Sequence, residues 1–195
     1  MESQASPRKL PTVEAVQASL HELGSIETFK LQEASLELLF RELCPRNEDP
    51  SKVLLKVSVL NDFYSTMIFN TPPVAQRICS LHIDERLAAG DLSLVEEMMQ
   101  VKFGDKVRNL YSFSSKYCSR HNPEAFPIFD SYVEKMLLHF RRQDGFATFK
   151  NVELRQYERF VEIIHAFRKH YGLEQFSIKQ IDAYLWLEGK AAFAP

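Results

Sequence analysis

Apolar residues recur along most of this chain at spacings of three and four, the period of an α-helix with one buried face. Thr12 can cap a first helix through TVEAVQASLHELG, which ends at Gly24 and aligns Val13, Val16 and Leu20. A second helix runs from about Glu27 to Cys44, with Phe29, Ala34, Leu36, Leu39, Phe40 and Leu43 in register, and Pro45 stops it. Asp49-Pro50 is an N-cap followed by a first-turn proline and opens a third helix through VLLKVSVLNDFYSTMI, a stretch too long without Gly or Pro for a typical strand. Thr71-Pro72-Pro73 opens the next, through VAQRICSL. The segment IDERLAAG is a short helix ending at Gly90, and Asp91 or Ser93 caps LVEEMMQV.

Gly104 breaks the chain before a helix predicted over KVRNLYSFSSKYC. After the loop HNPEAFP, Asp130 starts SYVEKMLLHFRRQ. Beyond Gly145, NVELRQYERFVEIIHAFRKHYG ends at Gly172, and SIKQIDAYLWLEG is capped by Ser177. No segment shows convincing strand alternation with turn residues beside it. The pattern therefore predicts an all-α chain: a compact multi-helix domain of roughly nine helices over residues 12–195, preceded by a tail over 1–11.

Composition agrees with that class. The 195 residues are 45% hydrophobic and 26% charged, enough for a buried core and unlike collagen, coiled coil or long disorder. Six Gly against 15 Phe leave few of the positive-φ turns on which sheet proteins depend. No apolar run approaches the roughly 20 residues that span a bilayer, and the start lacks a signal-type apolar stretch. Cys44, Cys79 and Cys118 form no C-x-x-C pair, and the histidines show no metal spacing. A cytoplasmic protein with no membrane partner, no metal and no cofactor is expected. No P-loop, dinucleotide fingerprint or G-x-S-x-G points to an NTPase, a Rossmann enzyme or a hydrolase.

The net charge of -2 conceals segregation. Asp84, Glu85, Asp91, Glu96 and Glu97 face a single Arg86 in one block. Lys102, Lys106, Arg108, Lys116 and Arg120 then stand against Asp105 alone, a local charge of +4. Such a stretch suits a polyanion-facing edge; equally, it suits a basic helix packed beside the acidic block. Asn61, Tyr64, Ser65 and Thr66 interrupt an apolar run and either line a pocket or bond within the core. Asp182, Tyr184, Trp186 and Lys190 read as a stacking platform with a phosphate contact, or as a helix anchored by its Trp.

Residues 101–140 carry a resemblance. A Gly-containing turn, a helix, a loop, the string FPIFD ending at Asp130 and then S-Y-V-x-x-x-L resemble the core of the helix-hairpin-helix DNA glycosylase superfamily. Ser115 to Asp130 also fits S-K-x-x-x-x-x-N-P-x-x-F-P-I-x-D, a pattern shared with a group of uncharacterised bacterial proteins. The resemblance implies a glycosylase-like core over about 50–190, double-stranded DNA as partner, and hydrolysis of the N-glycosidic bond of a damaged or mispaired base in DNA repair. Asp130 would then stabilise positive charge at C1′ or activate the nucleophile. Lys106, just after the hairpin, or Lys116, within the S-K motif, would be the amine that attacks C1′. Backbone N–H groups of Gly104 to Lys106 at a helix start would bind phosphate, with Lys102, Arg108 and Arg120 beside them. The hairpin carries one Gly, Gly104, where the superfamily pattern has two. The alternatives are a catalytically inactive helical module that binds DNA or protein, and a structural domain in which Asp130 is simply an N-cap.

Overall fold

Side-chain caps open four of the ten α-helices in the computed structural model, which describes residues 10–194. The tail expected over 1–11 lies, for residues 1–9, outside them. Helix α1 (Val13–Ser25) opens where Thr12 Oγ1 accepts the N–H of Ala15 at 3.2 Å. Helix α2 (Glu27–Glu37) follows after Ile26 alone and runs into a π-helical segment, Leu38–Leu43, which ends before Pro45. Asp49 Oδ1 accepts the N–H of Ser51 at 2.9 Å and, with Pro50 in the first turn, opens α3 (Pro50–Phe63). Then come α4 (Pro72–Ser80), α5 (Asp84–Ala89) and α6 (Ser93–Met99).

The chain between α6 and the next helix is extended, and here the sequence expectation is corrected. Residues Gln100–Phe103 form β1 and Lys106–Asn109 form β2, an antiparallel pair with Phe103 opposite Lys106. Gly104, with φ of +60°, takes the first central place of the two-residue turn, which a Cβ-bearing residue occupies at a cost. The helix predicted from Lys106 begins instead at Tyr111. Four-residue strands are too short for alternation to stand out from a helical background, although Val101 buried between exposed Gln100 and Lys102 carries the signal.

Helix α7 (Tyr111–His121) is the axis of the molecule. Eight of its 11 residues are buried, so it is surrounded instead of lying on a surface. Helices α3, α5 and α6 and the π-helical segment pack around it. Helix α8 (Ser131–Asp144) starts at Asp130; a 3₁₀ turn, Asn151–Arg155, leads into α9 (Tyr157–His170), and Ser177 with Gln180 forms a capping box at α10 (Ile178–Phe193). Helix α10 lies against α1 and α8. Its Gly189 allows the closest approach, since a Cβ there would stand 2.8 Å from both Cβ and O of Tyr132.

The phenylalanines explain the core. Phe40, Phe126, Phe140, Phe160 and Phe167 are almost fully buried, and each stabilises the fold by roughly 1.5–3 kcal/mol relative to exposure. The buried residues form one cluster from Val16 to Leu185, which draws the first and last helices into a single core. The all-α class expected from the periodicity is borne out. Among the described residues, no helix is long and apolar enough to cross a membrane.

Candidate functional site

The segment FPIFD is fixed from three sides. Ser115 Oγ on α7 accepts the N–H of Phe129 at 3.0 Å, Tyr157 Oη on α9 donates to the carbonyl of Pro127 at 2.7 Å, and Asp182 Oδ2 on α10 accepts the N–H of Ile128 at 2.7 Å. The buried rings of Phe126 and Phe129 hold it in the core, Phe129 against Tyr111 and Phe160. A loop locked in this way delivers Asp130 to one position. There Oδ1 accepts the N–H of Tyr132 at 2.8 Å as the N-cap of α8, and Oδ2 lies 3.5 Å from Lys116 Nζ. One oxygen of Asp130 therefore caps α8, and the other lies beside the Lys116 amine.

Lys116 is 3% exposed and also donates to Ser112 Oγ at 2.5 Å and to the carbonyl of Phe129 at 3.4 Å. Burial pushes its amine below the ordinary lysine range, against the charge and hydrogen bond of Asp130, which act to restore it. A lowered amine is neutral more often, and a neutral amine is a nucleophile.

Lys116 and Asp130 line a cavity of about 390 Å³ enclosed by α2, the end of α3, α7, the start of α8 and α10. Such a volume falls in the range of small-molecule and cofactor sites, roughly 300–1,000 Å³. On its α10 wall stand Asp182 and, one turn on, Trp186, with Lys190 Nζ 4.9 Å from the Trp186 ring centroid. Asp182 is 5% exposed, its Oδ1 has no hydrogen-bond partner, and burial raises its carboxyl far above the usual range despite the Ile128 N–H and the Lys116 charge. A carboxyl raised in this way keeps its proton to higher pH, and while protonated it can donate as well as accept a hydrogen bond. The third wall holds Tyr64, whose ring lies 5.4 Å from both Lys116 Nζ and the Arg120 guanidinium carbon, and Arg120 also donates to its hydroxyl.

The basic stretch is split by the fold. Lys116 and Arg120, on α7, turn into the cavity. Arg120 is 9% exposed and makes a two-pronged ion pair with Glu33 of α2, at 2.5 and 3.0 Å, so it is not the surface phosphate contact expected from the charge run. Lys102, Lys106 and Arg108 are exposed on the β-hairpin. Lys106 is not beside Asp130 in a helical corner, and the N–H groups of Gly104 to Lys106 do not open a helix, because β2 intervenes before Tyr111. Among the described residues none of the three hairpin cations forms an ion pair. The acidic block is satisfied elsewhere: Arg86 pairs with Asp91 and Glu97, Asp84 binds Asn47, and Glu96 accepts the N–H of Tyr157.

Of the polar residues near the end of α3, Tyr64 and Ser65 line the cavity, whereas Asn61 works locally. Helix α3 ends at Phe63, earlier than predicted, and Asn61 Oδ1 accepts from Thr66 Oγ1 at 2.7 Å and from the N–H of Ile68 at 2.9 Å, which folds the chain back. Asp182, Trp186 and Lys190 all face the cavity. Glu33 and Lys179 carried no sequence signal, since each is a charged residue on an amphipathic helix until the tertiary fold brings it to Arg120. Among the described residues no group of three His, Cys, Asp or Glu side chains is placed to hold a metal ion.

Comparison with known proteins adds a family. Residues 15–125 match the HI_0787_N family, described as an N-terminal domain. An uncharacterised protein of Haemophilus influenzae is 44% identical over 142 residues, which cover 72% of this chain and 68% of the relative. No solved structure matches. The matched residues run from α1 through α7 and include Glu33, Tyr64, Lys116 and Arg120 of the cavity; on that extent and identity, the chain belongs to the HI_0787_N family.

Proposed function

We propose that this protein binds DNA, takes an extruded nucleotide into the cavity, and cleaves the N-glycosidic bond of a damaged or mispaired base. The observation that carries the reading is the pair of Lys116 and Asp130, 3.5 Å apart in the wall of a cavity of about 390 Å³. As the C1′–N bond breaks, the base leaves with the bonding electrons and takes up a proton, and the Asp130 carboxylate stabilises the positive charge left on the sugar. Water then bonds to C1′ and gives up its proton. Alternatively the neutral Lys116 amine bonds to C1′, the sugar ring opens, and the resulting Schiff base is hydrolysed. Trp186 offers a face for the base, Asp182 a hydrogen-bonding edge, and Lys102, Lys106 and Arg108 reach for phosphates outside. Three free cysteines suit a reducing cytoplasm.

Duplexes carrying single lesions test the reaction. Wild type is expected to release the base, and Asp130→Asn, which keeps an N-cap, to lose on the order of 100-fold or more in rate. Lys116→Gln is expected to abolish any borohydride-trapped complex. A second reading, a non-catalytic DNA- or protein-binding module, is favoured by the structural use of both side chains: Asp130 caps α8, and Lys116 bonds Ser112 and Phe129. DNA binding without base release across a broad lesion panel selects that reading.

A further inference from the structure

Helix α2 covers the cavity with little to hold it down. Of its 11 residues only Leu36 is buried, Leu31 is 69% exposed, and no side chain caps its start. Ile26 alone joins it to α1, and its other end passes into the π-helical segment, a geometry found at functional bends. Few buried apolar contacts place an element at the low end of local stability. Besides Leu36 in the core and the packing of α2 on α1 and α3, one carboxylate ties α2 to the α7 and α10 walls of the cavity. Glu33 accepts from both terminal nitrogens of Arg120, at 2.5 and 3.0 Å, and from Lys179 Nζ at 2.9 Å.

Two cations from different helices, α7 and α10, therefore converge on a single anion. Burial acts to raise the Glu33 carboxyl, but the hydrogen bonds and charges of Arg120 and Lys179 overcome it and hold the group at about 2. The Arg120 fork matches a phosphate as well as a carboxylate. Its Nε is buried without a partner, and buried donors in a purely structural ion pair are normally all satisfied. A phosphate, with more acceptor oxygens than a carboxylate, can engage that spare donor.

We infer that Arg120 and Lys179 form a phosphate subsite of the cavity, occupied by Glu33 in the free protein, and that a nucleotide's phosphate displaces Glu33 and releases α2. This rests on the nucleotide reading of the cavity. Glu33 acts as a latch: binding is weakened by the fraction of molecules in which α2 is closed, and removing the latch removes that penalty.

The test uses the full chain with deoxyguanosine monophosphate, deoxyguanosine and inorganic phosphate as probes, with binding measured by calorimetry and α2 followed by hydrogen exchange of residues 27–37. The monophosphate is expected to speed exchange in α2, and deoxyguanosine to leave it protected. In Glu33→Gln, α2 exchanges fast without ligand, and the monophosphate binds about tenfold tighter, the size of one charge-assisted contact. Lys179→Ala, at a half-exposed position on the rim, weakens the monophosphate in a folded protein and keeps the test open should Glu33→Gln fail to fold. Three results would overturn the inference: a folded Glu33→Gln that binds no tighter, an α2 that stays protected at saturating monophosphate, or an equal effect of inorganic phosphate, which would assign free phosphate instead. None of these readouts requires base release. An α2 opened by the monophosphate in a protein inactive on every lesion removes the proposed reaction and leaves the subsite; base release with α2 always closed does the reverse.

Discussion

Asp182 on α10 accepts the backbone N–H of Ile128 at 2.7 Å, two residues before Asp130, so a buried acid near the end of the chain positions the acid beside Lys116. The contact uses Oδ2 and leaves Oδ1, buried in a residue that lines the cavity, without a partner.

That geometry has a pH signature. Burial keeps the proton on Asp182 in the folded state far above the ordinary carboxylate range, whereas the unfolded chain releases it within that range. Between the two values the native state binds more protons than the unfolded state, so this group's contribution to stability falls as pH rises. Asp182→Asn keeps an acceptor for Ile128 and cannot titrate. Urea denaturation from about pH 4 to pH 8 is expected to show the stability of wild type relative to Asp182→Asn declining with pH, by up to about 1.4 kcal/mol per unit. Parallel pH profiles would mean that Asp182 is ionised in the fold. Asp182→Ala, which strands the Ile128 N–H, should cost about 1–3 kcal/mol.

The hairpin cations make a separable prediction. Lys106 and Arg108 are exposed, so each phosphate they neutralise releases counterions. Lys106→Ala and Arg108→Ala are each expected to reduce the slope of log affinity for duplex DNA against log salt by about 0.9. Lys116→Ala, with its amine buried, should leave that slope unchanged. Identical slopes in all the variants would place DNA away from the hairpin.

Gly189 tests the α8–α10 contact that closes the cavity. Adding a methyl 2.8 Å from the Tyr132 carbonyl forces the two helices apart, since backbone cannot rotate out of the way. Gly189→Ala is expected to destabilise the protein by about 1–3 kcal/mol despite the higher helix propensity of Ala, measured as a lower thermal midpoint. An unchanged or higher midpoint would show that α10 sits less tightly on α8.

The helices were legible because their signals are local. Thr12, Asp49, Asp130 and Ser177 each cap the helix that the sequence assigned to them, and Gly90 and Gly145 end α5 and α8 in left-handed conformation. Two of the misreadings have local causes as well. At Phe63 the helical pattern continues into Tyr64, but Asn61 captures the N–H of Ile68 and turns the chain. At Lys106 a single glycine suggested a helical corner, whereas a two-residue turn with short flanking strands satisfies the same residues as a β-hairpin.

Charge was the poorest guide to the site. Lys102 to Arg120 looked like one basic edge, yet hairpin and helix part these residues, because α7 is buried nearly all round and must turn Lys116 and Arg120 toward polar partners. The sequence by itself determined the class, the caps and Asp130 at the head of α8, since periodicity and capping act within a few residues. Tertiary structure alone decided that Lys116, not Lys106, stands beside Asp130, and that Glu33, Arg120 and Lys179 share one cavity with Asp182. Those groups are 14 to 146 residues apart along the pairs they form, and only burial of a common apolar core supplies the free energy to bring such distant charges together out of water.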